Sequence, residues 1–411
     1  MKTDFLCNNS VRQRNLALGA LPRTGQRIVS VMLDLTVRCN LNCNYCFKKK
    51  GTADMPLRVA QDAVVWLIYA SGSERSISVQ FMGGEPVLRR DLIEKVVPFG
   101  LERCKSHNKE IKFGITTNST LVTDDFVEYA QNQGIGFHLS LDGVPEVQNH
   151  NRPLANGGPS SVLTEVAIPK ILKKQPQAMA RACLAAENAG RLLESFHYFH
   201  NLGFENIGFF PCEMDGWTND SLETYEQQLY LLGNEYIRLY RSSAVFSLQP
   251  LERWFTAKNR DTRGNSPCGS GRGLVLIDTE GGIWPCSRFH SFDKETCQLG
   301  SIYEGFWEDK REPFMSGCSE DKFRPECTGC IAAKICEGGC LAENYEKTGD
   351  IYRMHPNDCE INRIHARVGT KVHDILYGEK NPLFMKKYYP QEWKELEEKN
   401  NNDIPNESCP A

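Results

Sequence analysis

The chain has 411 residues, 40% hydrophobic and 24% charged, which places it among globular proteins with a sizeable core and excludes a disordered chain. Its 48 Lys and Arg stand against 52 Asp and Glu, and a formal charge of −4 argues against a partner such as nucleic acid. The 17 cysteines are the anomaly, because a core of this size needs no disulfide staples. The first ten residues carry no apolar signal region, and no run reaches the roughly 18 apolar residues of a membrane span, so a cytoplasmic protein is expected. In a reducing compartment, dense cysteines point to metal binding or catalysis.

From residue 28 onward, short apolar runs at 28–35, 77–82, 111–116, 136–141, 178–184 and 207–210 alternate with segments of helical period. The helical segments include 58–70, 91–106, 124–133, 161–174, 189–202 and 222–241. Six such units predict an α/β fold with a parallel sheet, either open and doubly wound or closed into a partial barrel. Both arrangements gather functional residues at the C-terminal ends of the strands. Cys39, Cys43 and Cys46 follow the first run, Gly83-Gly84-Glu85-Pro86 the second and Asn118 the third, while Ser140 and Asp142 close the fourth and Cys212 and Glu213 follow the sixth.

After residue 246 the character changes to short turns, scattered glycines and most of the remaining cysteines. The expected organisation is an N-terminal extension (1–27), a barrel (28–246), a metal-stapled domain (247–360) and a helical, charged tail (361–411).

Cys39, Cys43 and Cys46 have C-x3-C-x2-C spacing. Structural zinc takes four closed ligands and [4Fe-4S] clusters usually take four cysteines, so a compact set of three leaves one metal position open for chemistry. A zinc loop with a distant fourth ligand is the plain alternative, and Gly83-Gly84-Glu85-Pro86 taken singly is a tight turn. Together and in this order, these motifs resemble the radical S-adenosylmethionine (SAM) superfamily. That resemblance implies a partial (β/α)6 TIM barrel in which Cys39, Cys43 and Cys46 hold a [4Fe-4S] cluster whose fourth iron binds SAM through its amino and carboxylate groups. It further implies that Glu85 accepts hydrogen bonds from the SAM ammonium, that Gly83 and Gly84 permit close backbone approach, and that the neighbourhood of Tyr45 contacts adenine. Asn118, Ser140 and Asp142 are implied to line the ribose and carboxylate side.

The later cysteines are Cys268, Cys286, Cys327, Cys330, Cys336, Cys340 and Cys359. A pair of zinc knuckles is one reading, since C-x2-C serves both metals. The pattern also resembles the SPASM domain of radical SAM enzymes that modify peptides. By that resemblance Cys268, Cys286 and Cys340 hold a first auxiliary [4Fe-4S] cluster, and Cys327, Cys330, Cys336 and Cys359 a second, giving three clusters in all. No cysteine stands in the stretch before Cys268, so an open iron is implied, unless Cys297 or Cys318 folds back onto it.

The resemblance is strongest to the peptide-maturase and anaerobic sulfatase-maturase branch. In the sulfatase maturases, which oxidise Cys or Ser to formylglycine, an Asp follows the cysteine matching Cys286 as a proposed base, whereas this chain has Ser287. A hydroxyl of ordinary acidity cannot replace a carboxylate as proton acceptor. The favoured expectation is therefore oxidative modification of a ribosomally made peptide, with a thioether or other crosslink, and formylglycine formation is the alternative. A non-catalytic metal-stapled binding protein is the rival from another class. The implied partners are a peptide or protein substrate, a reductant such as flavodoxin or ferredoxin, and a separate leader-binding protein, since little chain precedes the first strand. Glu213, Asp215 and His290 are candidate proton carriers, though each is as readily a solvated loop residue. His197 and His200 have metal-like i, i+3 spacing but fall on a helix expected to face outward.

Overall fold

The structure, a computed structural model, describes residues 27–212, 216–244, 246–255, 268–315, 327–333, 336 and 338–402. All six expected runs are strands: β1 Ser30–Asp34, β2 Ser76–Met82, β3 Glu110–Thr117, β4 Ile135–Ser140, β5 Met179–Leu184 and β6 Asn206–Pro211. The crossovers are helices: α1 Leu57–Ala70, α2 Arg90–Ser106, α3 Asp124–Gln133, α4 Pro145–Asn151, α5 Ser161–Lys174, α6 Leu192–Asn201 and α7 Asn219–Arg241. Of these, α4 was not expected, because its seven residues carry no apolar stripe.

The sheet does not stop at residue 246, where the sequence places a domain break. Strand β7, Ser247–Gln249, pairs parallel with β6, and β8, Leu274–Ile277, pairs parallel with β1 on the opposite edge. Strands β9 (Gly282–Trp284), β10 (Gly300–Ser301) and β11 (Gly305–Phe306) then add antiparallel, completing an eleven-stranded sheet ordered β11-β10-β9-β8-β1-β2-β3-β4-β5-β6-β7. From β8 to β7 in space the sheet is thus a parallel α/β layer, with β9, β10 and β11 added antiparallel beyond β8 on the β1 side.

Register decides which side chains face inward. Val31, Val79, Phe113 and Ile135 lie side by side, as do Leu33, Phe81, Ile115 and Phe137, and all are buried in one core with the helix residues Val64, Val96, Phe126 and Phe196. The alternate residues make a second, more polar face, carrying Ser30, Ser78, Thr116, His138, Ser140, Arg181 and Cys183. There the Ser78 hydroxyl donates to Ser30 at 2.8 Å. A parallel sheet packed on both faces reads apolar throughout. This alternation instead marks an inner wall left open to a binding space.

Helix α8 (Leu341–Thr348) follows Cys340, and helix α9 (Pro356–Gly378) carries Cys359 across the expected start of the tail at 361. The chain beyond 361 packs on the barrel, since Tyr225 of α7 and His365 of α9 share a buried hydrogen bond of 2.7 Å. Burial pushes His365 down to about 3 and keeps the ring neutral. No helix among the described residues is long and apolar enough to cross a membrane. Tyr225→Phe would leave His365 Nε2 without its partner and is expected to cost about 1–3 kcal/mol, read as a lower midpoint in chemical denaturation.

Candidate functional site

Cys39, Cys43 and Cys46 lie in the loop leaving β1, and the end of β2 fixes where that loop starts. The Leu35 amide donates to Met82 O (2.9 Å), Gly84 to Thr36 O (2.7 Å) and Glu85 to Arg38 O (2.9 Å). The approach is so close that a Cβ on Gly84 would stand 2.1 Å from Arg38 O and 3.0 Å from the Cys39 Cβ. The glycine expected to admit a ligand therefore serves here to admit the cysteine loop itself.

Glu85 is buried, and its carboxylate accepts from the Asn118 amide (2.8 Å), the Thr117 hydroxyl (2.7 Å) and the Val87 amide (3.0 Å). Burial pushes its carboxyl up to about 7, against the pull of these three bonds. Asn118 in turn donates from Nδ2 to Asn40 Oδ1 (2.9 Å) and lies 4.0 Å from the Cys39 Sγ, to which the Leu41 amide also donates at 3.4 Å. Donors aimed at a sulfur suit a thiolate that ligates iron.

The other end of the loop rests on β4 and β5. The Tyr45 hydroxyl donates to Asp142, which also accepts from Asn151 Nδ2 (3.2 Å) and the Cys183 amide (3.0 Å). Arg152 Nε lies 2.9 Å from Asp142, and its guanidinium covers the Tyr45 ring at 5.3 Å. The Asp142 oxygens are thus engaged by the protein, and Tyr45 and Asp142 act together as an anchor for the loop. Ser140 stands apart, on the inner wall.

Burial pushes Cys39 up and Cys43 up to about 11, the nearby Cys46 adds to both, and Arg152 pulls Cys43 back. Among the described residues, no three His, Cys, Asp or Glu side chains close tightly enough to grip a single ion. A cluster assigns one thiolate to each iron, so its ligands spread further apart than those of one ion. Three neighbouring thiols with N–H donors on Cys39 fit that group.

Further along the chain, Cys268, Cys286 and Cys340 are brought within electrostatic reach of one another, as are Cys327, Cys330 and Cys336. Arg363 of α9 hydrogen-bonds Cys330 and feels Cys359, which places Cys359 beside that second set. Cys297 does not fold back onto the first set: it is buried and pairs with the Tyr345 hydroxyl. Cys318, Glu213 and Asp215 lie outside the described residues. His197 and His200 make no metal face, since His200 stacks on Phe196 at 5.7 Å and His197 faces Glu235 at 3.9 Å.

Residues that the motifs do not reveal complete the site. Asp34, fully buried at the end of β1, receives Lys48 Nζ at 2.6 Å and has His290 Nδ1 at 3.1 Å, both on Oδ2. Against the upward push of burial, Lys48 and His290 hold its carboxyl below the usual range. Its Oδ1 has no hydrogen-bond partner among the described residues. The one available signal was a charged residue inside an otherwise apolar strand.

The family model for the radical SAM superfamily matches residues 33–227, the stretch that contains this loop and the strand ends around it. Over that stretch, a little under half of its length, the chain is similar to the radical SAM superfamily. It is 36% identical over 135 residues to an uncharacterised protein of Methanocaldococcus jannaschii, covering 33% of this chain and 45% of that one. It is 25% identical over 329 residues to a cysteine-type anaerobic sulfatase-maturating enzyme of Clostridium perfringens strain 13, covering 74% and 85%. It is 22% identical over 374 residues to the radical SAM cyclopropyl synthase TigE of Paramaledivibacter caminithermalis, covering 84% and 74%. Among solved structures, native anSMEcpe with bound AdoMet shares the fold at a TM-score of 0.71 and 19% identity, covering 85% of this chain and 99% of that one. Streptococcus suis SuiB bound to precursor peptide SuiA gives 0.54 and 18%, covering 81% and 76%. The chain thus shares its fold with anSMEcpe and SuiB and is similar along most of its length to sulfatase-maturating and peptide-modifying radical SAM enzymes.

Gly84→Ala tests the loop's seating. The added methyl cannot fit against Arg38 O, so the loop must shift, and the reconstituted variant is expected to hold about four fewer irons per chain than the parent. Iron analysis after anaerobic reconstitution checks this.

Proposed function

We propose that this protein cleaves SAM reductively and uses the resulting radical to oxidise a ribosomally made peptide, with a thioether or other crosslink as the product. The reading includes three [4Fe-4S] clusters, held by Cys39, Cys43 and Cys46; by Cys268, Cys286 and Cys340; and by Cys327, Cys330, Cys336 and Cys359. When bound, the first cluster and SAM supply a 5′-deoxyadenosyl radical that takes hydrogen from unactivated C–H bonds.

The observation that carries this reading is the double grip on Asp34. Lys48, two residues after Cys46, and His290, four residues after Cys286, meet on the same buried carboxylate oxygen. The thiols Cys268, Cys286 and Cys340, which would hold an auxiliary cluster able to accept the second electron of a two-electron substrate oxidation, are thereby tied to the loop where the radical would arise. Glu85 and Asn118 hold the loop from one side and the Tyr45–Asp142–Arg152 anchor from the other, so both flanks of the SAM site are fixed before SAM arrives. Ser140 on the inner wall is left to contact SAM. In a reducing cytoplasm, flavodoxin or ferredoxin would deliver the electron.

The relatives support a second reading equally, formylglycine formation on a Cys or Ser side chain in sulfatase maturation, since the Clostridium perfringens relative is named a cysteine-type anaerobic sulfatase-maturating enzyme. Ser287 beside Cys286 weighs against it, for want of a carboxylate at that position.

The deciding experiment is tandem mass spectrometry of each short peptide found encoded beside the gene, after anaerobic incubation with reconstituted enzyme, SAM and a reductant. Loss of two hydrogens with cysteine sulfur retained and joined to a second residue is the expected result. An aldehyde at Cys or Ser would establish the second reading instead. No release of 5′-deoxyadenosine under any condition would remove both.

A further inference from the structure

One buried N–H beside the second set of late cysteines has nothing to bond. Trp254, on the short helix Glu252–Phe255, is 3% exposed, and its indole Nε1 has no hydrogen-bond partner among the described residues. With Ala332 and Ala366 it makes a small buried cluster separate from the main core, and Cys330 and Cys336 pack against that cluster. Glycine at 369 in α9 lets the ring lie this close to the helix. A Cβ there would stand 2.6 Å from the Trp254 Cβ and 3.0 Å from its Cδ1, the carbon bonded to Nε1.

An indole N–H is a donor only, so nothing but an acceptor can answer it. Proteins rarely leave such a group unbonded in the interior, because burial removes the water that would otherwise accept from it. Two other indoles of this chain keep that rule: Trp217 Nε1 donates to Cys212 O at 2.8 Å and Trp284 Nε1 to Asp278 at 2.7 Å. Trp66 and Trp393 also lack acceptors, but they sit in or against the main core, whereas Trp254 shares a three-residue pocket with two of the thiols.

The neighbouring groups indicate what the acceptor is. Cys336 takes a hydrogen bond from the Gly338 amide and Cys330 one from the Arg363 side chain, and the charge of Arg253 reaches Cys336. Donors and positive charge are thus directed at these sulfurs, as suits thiolates that share the negative charge of an iron-sulfur cluster. The indole of Trp254 is a further donor in the same pocket.

We propose that Trp254 donates its indole N–H to a sulfur of the second auxiliary cluster, the one assigned above to Cys327, Cys330, Cys336 and Cys359, and thereby raises the potential at which that cluster accepts an electron. This rests on the three-cluster reading and adds to it a residue outside every cysteine motif. The sulfurs gain negative charge on reduction, so an N–H aimed at them bonds the reduced form more strongly than the oxidised one. Without that bond, the ratio of reduced to oxidised cluster at a fixed potential should fall by about three- to tenfold, tenfold being about 59 mV for one electron.

The test is spectroscopic and uses the anaerobically reconstituted full-length protein, without SAM or peptide. Iron and sulfide are counted first, and a parent holding fewer than three clusters would overturn the cluster reading itself, and this proposal with it. In reduced protein labelled with nitrogen-15 at the indole nitrogens, hyperfine spectroscopy of the cluster signals should show a nitrogen-15 coupling that is missing from Trp254→Phe. In a redox titration followed by electron paramagnetic resonance, Trp254→Phe should lower one of the three reduction steps by the ratio given and leave the other two in place. Trp254→His, which keeps a ring N–H, should recover part of that shift. No nitrogen-15 coupling in the fully loaded parent would overturn the proposal whether or not the variants fold. So would a Trp254→Phe protein that holds three clusters at unchanged potentials, a result that leaves the cluster reading standing.

Discussion

The whole site hangs on a short backbone contact, in which residues 83–85 at the end of β2 bind residues 36–38 just ahead of Cys39. A loop whose business is to present three thiols has little apolar surface to fold around, so its position must come from hydrogen bonds supplied by its neighbours. Glu85 extends the contact sideways: its carboxylate binds the end of β3 through Thr117 and Asn118, and Asn118 reaches back to Asn40. Three strand ends and the loop thus form a closed circuit in which moving any member strains the others. On the far side, Asp142 does the same for Tyr45, tying it to the Cys183 amide.

Burying charge in such a circuit is costly unless each charge is paired and hydrogen-bonded. The protein meets this condition twice with one design. Asp34 joins Lys48 to His290, binding the cysteine loop to the segment after Cys286. Arg288 joins Glu343 and Glu346, binding that same segment to helix α8, which begins after Cys340. Cys286 and Cys340 are therefore held in place by ion pairs anchored within a few residues of each. Removing one partner would leave a buried charge uncompensated, a larger penalty than the pair's net worth.

The parallel layer was legible because its strands alternate apolar and polar residues and its helices carry long apolar stripes, signals that do not depend on distant chain. Helix α4 was not, since 145–151 is rich in Asn, Gln and His. Strands β7 and β8 escaped for another reason: each has three or four residues, and what makes them strands is an edge of β6 or β1 offered from far away in sequence. The same distance hid the site's charged grip, as nothing near Asp34 announces residues 48 and 290. The cysteine sets stood out by their short, repeated spacings, and the structure brings the members of each set near one another. Tyr45 and Asp142 were identified as site residues, but a motif shows that a residue belongs to a site without showing whether it touches the ligand or the loop that holds the ligand.

That distinction bears on where substrate choice resides. The cysteine loop and its supports are inward-tied, with Glu85, Asn118 and Asp142 all engaged by other parts of the protein. They can generate reactivity but have few free polar atoms with which to read a peptide. The inner wall is the opposite. His138, Ser140 and Arg181 follow one another across β4 and β5 with their polar groups facing the cavity, on a sheet whose other face is a packed core. A fold can keep its radical machinery constant and change its substrate by altering this one face, because substitutions there disturb neither the core nor the circuit around Gly84. Chemistry is thereby carried by the loops at the strand ends and selectivity by the inward residues of the strands, which the two-residue period of the β-sheet keeps apart from the core.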